Sequence, residues 1–266
     1  GDYGDDLTFL NYLPAQISGL KLEDDNADGV ENDSGTPIGG ITIELVGAGA
    51  DGTLGTADDA VVDSDVTDAV TGAWSFEDVE PGTYVVREVL TGTDYLSQDT
   101  TSFQITVASG DDIDETDGDY GDDLTFLNYL PAQISGQKRE DADGDGDLSD
   151  VDSGLDGWAI TLYEDVNGDG AYDAGDGDKF VAEDVTANGG FYSFDGLAPG
   201  DYIVVETQKD GWVNTNTNTS DPLTLDVGTL TSGDDESGFD FLNYEEISIS
   251  GQKREDADGD GDLSDV

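Results

Sequence analysis

Apolar and polar residues alternate along short stretches of the chain, with the period of two that places successive side chains on opposite faces of a β-strand. The clearest examples are GTYVVREV at 82–89 and GDYIVVET at 200–207, together with ITIELV at 41–46 and AITLYE at 159–164. Clusters of Gly, Asp, Asn and Pro separate these stretches and mark turns. No stretch has the 3.6-residue period of an amphipathic helix. The pattern predicts an all-β protein made of short strands.

Long segments of this pattern are repeated. Residues 1–19 recur letter for letter at 118–136, and residues 134–151 recur at 249–266. The marker Ile-Ser-Gly begins at Ile17, Ile134 and Ile249, so it returns after 117 and then 115 residues. A repeat of this length has the size of a whole domain.

Each repeat holds about seven strand-like stretches, which predicts tandem antiparallel β-sandwiches. We expect the last strand of a preceding repeat at 1–15, one domain at 16–130, a second at 133–245, and the first strand and metal loop of a following repeat at 247–266. The short linker LPAQ lacks the Gly/Ser composition of a flexible tether. The sequence therefore predicts a semi-rigid rod whose main partners are neighbouring repeats of the same chain or filament.

The charge of the chain limits its possible partners. It contains 64 acidic and only 8 basic residues, for a net charge of −56. This field excludes nucleic acid and anionic membrane surfaces as partners, and no apolar run approaches the ~20 residues of a membrane span. Two carboxylates about 5 Å apart repel by roughly 3 kcal/mol at an effective dielectric near 20. Divalent cations, high salt or both must offset this repulsion.

The acidic residues of the second repeat follow the oxygen-ligand spacing of a calcium loop, with ligands at positions 1, 3, 5, 7, 9 and 12 and Gly at 6. One match begins at Asp141 and the next at Asp165. Position 12 of the first match is Asp152, and Asp150 is an alternative closing ligand. The candidate metal ligands are Asp141, Asp143, Asp145, Asp147, Asp150, Asp152, Asp165, Asn167, Asp169, Asp173 and Asp176.

The first repeat and the C-terminal segment carry looser versions of these loops. Their candidate ligands are Asp24, Asn26, Asp28, Asn32 and Asp33, the cluster Asp51, Asp58 and Asp59, and finally Asp256, Asp258 and Asp260. The sequence thus predicts several Ca²⁺ ions per domain. One alternative is a set of solvated acidic turns in a halophile protein. Another is a helical EF-hand or dockerin, against which the β-patterned flanks argue.

The loops and strands together resemble a known family. The stretches ISGQKREDADGDG, SGLDGWAITLYEDVNGDG and GGFYSFDGLAPGDYIVVE of the second repeat, and their counterparts in the first, are similar to the calcium-binding B-like domains of serine-aspartate repeat (SdrD-type) surface adhesins, relatives of collagen-adhesin B-type (CnaB) domains. The resemblance covers almost the whole chain. It implies a transthyretin-like or inverse-immunoglobulin sandwich, calcium held in loops, and an extracellular stalk or structural module.

The resemblance to CnaB-like domains also implies a covalent cross-link. In such domains a first-strand Lys and a last-strand Asn form an isopeptide bond with help from a buried acid. On that analogy the candidate groups are Lys21, Asn128 and Glu88 in the first domain and Lys138, Asn243 and Glu206 in the second. Asn11 and Lys253 would need partners in neighbouring repeats. The alternative is a Lys–Glu ion pair beside an Asn that caps a strand end.

Three functions follow from these features. The first is a non-enzymatic, calcium-stabilised structural protein at the cell surface, forming a stalk or filament. The second is an adhesin module that binds glycans or other cell-surface proteins through exposed loops. The third, a glycosidase, uses paired carboxylates, but the conspicuous acids here lie in repeated metal-type loops. Asn218 and Asn32 stand in glycosylation sequons.

Overall fold

The computed structural model describes residues 10–31, 35–97, 101–114, 124–147, 153–173, 175, 177–216, 223–256 and 261. These residues form β-strands and contain no α-helix. No described segment therefore has the helical length and apolar character that a membrane crossing needs. The strands are β1 (Ala15–Glu23), β2 (Thr42–Gly47), β3 (Ala60–Val66), β4 (Trp74–Val79), β5 (Gly82–Val89), β6 (Leu96–Ser97), β7 (Ser102–Val107), β8 (Asp112–Ile113), β9 (Thr125–Tyr129), β10 (Ala132–Glu140), β11 (Ala159–Glu164), β12 (Lys179–Val185), β13 (Phe191–Leu197), β14 (Gly200–Glu206), β15 (Trp212–Asn214), β16 (Thr224–Leu230), β17 (Asp235–Ser237) and β18 (Phe241–Glu245).

The strands form two pairs of sheets with matching topology. In the first pair, one sheet has the order β4-β1-β9-β6 with β8 added to β1, and the other has the order β3-β2-β5-β7. In the second pair, β13-β10-β18-β15 carries β17 on β10, and β12-β11-β14-β16 forms the second sheet. Strands β1 to β9 thus correspond one by one to β10 to β18. The all-β tandem sandwich predicted from the sequence is confirmed.

The first and last strands of each repeat lie side by side. They pair in parallel, with Lys21 opposite Phe126 and Glu23 opposite Asn128 in β1–β9, and Lys138 opposite Phe241 in β10–β18. The sequence predicts antiparallel sandwiches, which the other strand pairs largely follow, and the structure adds this parallel pairing. The chain crosses repeatedly between the two sheets before its last strand returns beside the first and runs in the same direction. Every domain therefore begins and ends on adjacent strands.

Each pair of sheets encloses its own hydrophobic core. Full burial of one large apolar side chain stabilises a fold by roughly 1.5–3 kcal/mol, so these side chains are the main source of each domain's stability. The first core includes Ile17, Ile43, Trp74, Phe76, Val86, Ile105 and Phe126. The second includes Ile134, Ile160, Leu162, Tyr192, Phe194, Val204 and Phe241. The two clusters share no residue.

The junction between the repeats is short and hydrogen-bonded. Only residues 130–131 separate β9 from β10. Leu130 N–H donates to Ser232 Oγ at 2.8 Å, and Gly233 N–H donates to the Leu130 carbonyl at 2.9 Å. Ser232 also reaches back to the earlier repeat, because its N–H donates to the Asp25 carbonyl at 3.0 Å and its hydroxyl donates to the Glu23 carboxylate. The turn at 231–234 therefore contacts both the linker and the first acidic loop.

The Gly of the repeated Ile-Ser-Gly marker is required by close packing. A Cβ on Gly136 would lie 2.2 Å from the Phe239 carbonyl oxygen and 2.7 Å from the Tyr192 hydroxyl. A Cβ on Gly19 would lie 2.1 Å from the Leu124 carbonyl oxygen. The marker thus lets the first strand pass directly against the segment that leads into the last strand.

We predict that Gly136→Ala lowers the free energy of unfolding of the second domain by about 1–3 kcal/mol, because the added methyl group meets backbone that cannot move aside easily. Chemical denaturation followed by Trp fluorescence measures this change. Gly251→Ala is the matched control, because it alters the same marker where a Cβ would meet nothing within 4 Å. Equal stability of Gly136→Ala and the unaltered protein would contradict the packing explanation.

Candidate metal loops and cross-link site

A buried aspartate opens each of the acidic loops that begin at Asp24, Asp141 and Asp165. Asp24 and Asp141 directly follow β1 and β10, and Asp165 follows β11. Their exposed fractions are 1%, 1% and 5%. A carboxylate at such a position needs hydrogen bonds or a cation to offset the loss of water. The strand ends thus hold one acid of each loop in a fixed, desolvated place.

Each opening aspartate folds its own loop back onto itself. Asp141 Oδ2 accepts a hydrogen bond from Gly146 N–H at 2.9 Å, and Gly146 has a φ of 81°. A Gly in this left-handed conformation makes the sharp turn at position 6 of a calcium loop. The same bond from position 6 to position 1 recurs at Asp24–Gly29 (2.9 Å), Asp165–Gly170 (2.8 Å) and Asp256–Gly261 (2.9 Å).

The next two ligand positions continue the pattern. Asp143 Oδ1 accepts from Asp145 N–H at 3.3 Å, and Asp145 Oδ1 accepts from Asp147 N–H at 3.0 Å. One carboxylate oxygen from each of Asp141, Asp143 and Asp145 lies within 4.8 Å of the others. Two oxygens that share one Ca²⁺ at 2.3–2.6 Å are at most about 5 Å apart. The donor set and its spacing therefore fit a hard dication.

Hydrogen bonds also keep the first acid of this loop ionised. Burial raises the pKa of the Asp141 carboxyl, but hydrogen bonds from the Thr215 hydroxyl and the Gly146 and Gly144 amides outweigh it and lower that pKa below its ordinary value. Thr215 Oγ1 lies 2.6 Å from Asp141 Oδ2. An ionised carboxylate is the form that a cation binds.

Several predicted ligands lie outside the described residues. They are Asn32, Asp33, Asp150, Asp152, Asp176, Asp258 and Asp260, and the sequon residue Asn218 lies outside them as well. The structure therefore describes the opening ligand positions of the loops that begin at Asp24, Asp141 and Asp165. The closing ligands stay predictions.

In the second loop of the second domain, the structure points to one acid that the spacing did not include. Asp178 accepts hydrogen bonds from Asp173 N–H at 3.1 Å and from Val166 N–H at 3.4 Å. It therefore lies against the loop that Asp165 opens. The available signal was the closing run DAGDGD, in which position 12 is followed two residues later by a further Asp.

The cluster at Asp51, Asp58 and Asp59 has a different construction. Asp51 N–H donates to Asp58 Oδ2 at 3.1 Å, and Asp59 Oδ2 accepts from Gly55 N–H at 2.7 Å. The hydrogen bond from the Thr56 hydroxyl is the main reason that the pKa of Asp58 is lowered. Asp59 Oδ1 is buried and has no hydrogen-bond partner within the described part of the chain. The cluster brings the three acids together without the bond from position 6 to position 1.

The second domain also encloses a buried Lys–Glu–Asn triad. Lys138 lies on β10, Asn243 on β18 and Glu206 on β14, with exposed fractions of 0%, 0% and 2%. Lys138 Nζ lies 2.6 Å from Asn243 Oδ1 and 3.1 Å from Glu206 Oε2. Asn243 Nδ2 donates to Glu206 Oε1 at 2.7 Å. One carboxyl group therefore contacts both the amine and the amide nitrogen.

The surroundings of this triad favour the neutral amine of Lys138 and the protonated carboxyl of Glu206. Burial lowers the pKa of Lys138 to about 8, although the Glu206 charge acts in the opposite direction. Burial likewise raises the pKa of Glu206, against the influence of Lys138 and Asn243. The Trp158 ring lies 4.7 Å from Lys138 Nζ and covers it on the apolar side. A neutral amine beside a protonated carboxyl is the pair that amide exchange requires.

The first domain holds the equivalent residues in a slightly different arrangement. Lys21 Nζ lies 3.4 Å from Glu88 Oε2 and donates to the Phe126 carbonyl at 2.9 Å. Asn128 Nδ2 donates to Glu88 Oε2 at 3.2 Å, while Asn128 Oδ1 is buried without a partner among the described residues. Burial lowers the pKa of Lys21 to about 8. The remaining candidates, Asn11 and Lys253, are exposed and lie outside the strands.

Comparison with known proteins agrees with this fold. The family model for SpaA, a prealbumin-like fold domain, matches residues 27–119 and 145–231. Serine-aspartate repeat-containing protein F of Staphylococcus epidermidis is 25% identical over 224 residues, which are 84% of this chain and 12% of that protein. This chain thus corresponds to a small part of that relative. The relative is named as a repeat-containing protein and not as an enzyme, in line with the non-enzymatic expectation.

Solved structures of pilins are also similar. The minor pilin GBS52 of Streptococcus agalactiae has 18% identity and a TM-score of 0.35, covering 90% of this chain and 100% of that one. The shaft pilin SpaA of Lactobacillus rhamnosus GG has 14% identity and a TM-score of 0.34, covering 89% and 100%. Because the family model matches both repeats and more than half of the residues, this chain belongs to the SpaA family of prealbumin-like fold domains, and its resemblance to serine-aspartate repeat adhesins is confirmed.

Proposed function

We propose that this chain is a non-enzymatic structural segment of an extracellular, cell-surface stalk or filament. Its domains are stabilised in two ways, by calcium in the acidic loops and by a Lys–Asn isopeptide bond in each core. The buried triad of Lys138, Glu206 and Asn243 is the observation that carries the proposal, because its contacts bring amine, acid and amide together. The family match in both repeats and the repeated sequence support the tandem arrangement.

The cross-link reaction follows from the contacts of the triad. The neutral amine of Lys138 attacks Asn243 Cγ, and a new C–N bond forms while the bond from Cγ to Nδ2 breaks. The protonated carboxyl of Glu206 gives its proton to the departing nitrogen, which leaves as ammonia, and takes up the proton that the amine releases. The carboxyl group can perform both transfers because Lys138 Nζ lies 3.1 Å from Oε2 and Asn243 Nδ2 lies 2.7 Å from Oε1.

The position of this bond suits a load-bearing function. Lys138 and Asn243 are 105 residues apart in sequence and lie on adjacent strands, at opposite ends of the domain sequence. Tension along the chain enters near β10 and leaves near β18. A covalent bond between them would transmit the force directly and leave the intervening strands unloaded. A stalk built of such domains resists extension.

Calcium has a complementary structural effect. Ca²⁺ bound by Asp24, Asn26 and Asp28, by Asp141, Asp143 and Asp145, or by Asp165, Asn167 and Asp169 would neutralise carboxylates that otherwise repel one another. The first of these loops contacts the next repeat, since Ser232 donates to Asp25 and Glu23. Calcium there would stiffen the junction as well as the domain.

We predict that the intact protein is lighter than its sequence mass by two molecules of ammonia, about 34 Da, one for each closed bond. Glu206→Gln, which cannot shuttle the proton, should lose only one. High-resolution mass spectrometry of the whole chain measures this difference.

Glu164→Ala is the matched control for the mass measurement. Glu164 also lies 3.1 Å from a lysine, Lys179, but this pair is exposed on the surface. The variant should still lose both ammonia molecules. An unaltered protein at its full sequence mass would refute the cross-link.

We predict that removal of calcium by EDTA lowers the melting temperature of the chain, since each bound ion stabilises the folded state by about 2.7 kcal/mol at a hundredfold excess over its Kd. Scanning calorimetry measures the shift, and small-angle scattering should show a more flexible rod. Asp165→Asn should reduce the shift. Asp63→Asn, which removes a charge from the exposed strand β3, should leave it unchanged. Identical melting with and without calcium would contradict a stabilising metal.

A further inference from the structure

The first metal loop of each domain is joined directly to the cross-link site. In the second domain, Lys138 and Asp141 lie at the same end of β10, three residues apart in sequence. The N–H of Asp141 donates to the backbone carbonyl of Asn243 at 2.9 Å. The residue that opens the loop therefore also holds the residue whose side chain Lys138 attacks.

The same connection is present in the first domain. Lys21 again precedes the opening aspartate, Asp24, by three residues. Asp24 N–H donates to the Asn128 carbonyl at 2.8 Å. The adjoining residues differ between the repeats, GLKLEDD in one and GQKREDA in the other. The bond thus recurs although the local sequence has changed.

The side chain of Asp141 makes a second connection to the last strand. Thr215 donates its hydroxyl to Asp141 Oδ2 at 2.6 Å, and its N–H to the carbonyl of Leu242 at 2.8 Å. Leu242 directly precedes Asn243. The residue before Thr215, Asn214, pairs with Asn243 across β15 and β18 and donates to Glu206 Oε2 at 3.4 Å. A displacement of the Asp141 carboxylate would therefore reach both Asn243 and Glu206.

The second metal loop is connected elsewhere. Asp165 N–H donates to the carbonyl of Asp201 at 2.9 Å. Asp201 lies near the start of β14, whereas Glu206 is the last residue of that strand. The opening residue of the first loop thus bonds to Asn243, a member of the triad. The opening residue of the second loop bonds instead to Asp201, near the other end of the strand that carries Glu206.

We propose that Asp24 and Asp141 are positioning residues for the cross-link, and that Ca²⁺ in the loop that each one opens promotes the bond in its own domain. This inference rests on the proposed function. A cation that binds the carboxylate of Asp141 fixes the first turn of the loop, and with it the N–H that holds Asn243 within reach of the Lys138 amine. Misplacement of reacting atoms by about 1 Å can slow a reaction a hundredfold. The loop thereby controls the rate of amide exchange.

We also expect an equilibrium coupling between the metal and the bond, which is separate from the effect on rate. If bound calcium stabilises the cross-linked arrangement over the open one, the bond raises the affinity of that loop for calcium by the same factor. Formation of the cross-link would therefore make the loop bind its calcium ion more tightly than before the reaction. The order is calcium first, covalent bond second, and a tighter calcium site as the result.

The test follows bond formation in newly made protein. The chain is synthesised in a cell-free system with magnesium, in the presence of either Ca²⁺ or a calcium-selective chelator. Digestion and mass spectrometry then give the fraction of each cross-linked peptide over time. We expect calcium to accelerate both bonds about tenfold, which is less than the hundredfold that a misplacement of about 1 Å can cost. In Asp141→Asn, the Lys138–Asn243 bond should form slowly and no longer respond to calcium, while the Lys21–Asn128 bond behaves normally.

Three further variants separate positioning from general damage. Asp24→Asn should show the reverse selectivity and slow only the first-domain bond. Asp63→Asn removes a charge from the exposed strand β3 and should leave both rates unchanged. Thr215→Val removes the hydroxyl contact with Asp141 but no proposed ligand, so it should slow the second-domain bond even if Asp141→Asn fails to fold. Equal rates in Thr215→Val and the unaltered chain would count against the side-chain connection.

The outcomes distinguish the two proposals. If the unaltered chain loses no ammonia, the proposed cross-link fails and this inference fails with it. If ammonia is lost at the same rate with calcium and with chelator, the inference is overturned and the cross-link stands. Calcium titration of Glu206→Gln gives an independent result. Its loop at Asp141 should bind calcium about tenfold more weakly than in the cross-linked chain, and an unchanged Kd would contradict the coupling.

Discussion

Electrostatic repulsion among carboxylates is the constraint on which this structure depends. With 64 acidic and 8 basic residues, the chain cannot pair most of its negative charges with its own side chains. The fold places the densest acids in loops at strand ends and the apolar residues between the sheets. Within each loop, backbone N–H groups of Gly29, Gly146 and Gly170 point at the first carboxylate and offset part of its charge. In the proposed function, a dication would complete this compensation and make the same loops a source of stiffness.

The buried triads show a second charge problem with a chemical solution. A lysine and a glutamate without exposure to solvent lose much of their hydration, and their attraction does not always repay that cost. The proposed isopeptide bond would remove the difficulty, because the amine of Lys138 would become part of a neutral amide and one nitrogen would leave as ammonia. The buried site would then be more stable after the reaction than before it. The adjacent parallel strands that make the reaction possible also place the bond where tension would act.

Much of this architecture could be predicted from the sequence. Alternation put Tyr202, Val204 and Glu206 on one face, and the structure buries all three. The repeats indicated the tandem arrangement, and calcium-type spacing located the loops that begin at Asp24, Asp141 and Asp165. Alternation does not encode strand direction, however, so the parallel pairing of β10 with β18 was missed.

Contacts between distant segments were also beyond the sequence. Thr215 and Asp141 are 74 residues apart, and no local pattern marks a Thr in a polar loop as a partner of a metal loop. Asp178 was passed over because the spacing rule assigns the closing position two residues earlier. Their contacts follow from the fold, which places Thr215, directly after β15, and Asp178, directly before β12, against the loops that Asp141 and Asp165 open.

The most direct test of the account is a crystal structure of the chain grown with calcium, using anomalous scattering to locate the ions. We expect an anomalous peak between the carboxylates of Asp141, Asp143 and Asp145, which marks a bound Ca²⁺ ion. Equivalent peaks should lie in the loops opened by Asp24 and Asp165. Loops that keep their shape but contain only water at saturating calcium would contradict it, because the repulsion among these carboxylates would then be offset by something other than a bound dication.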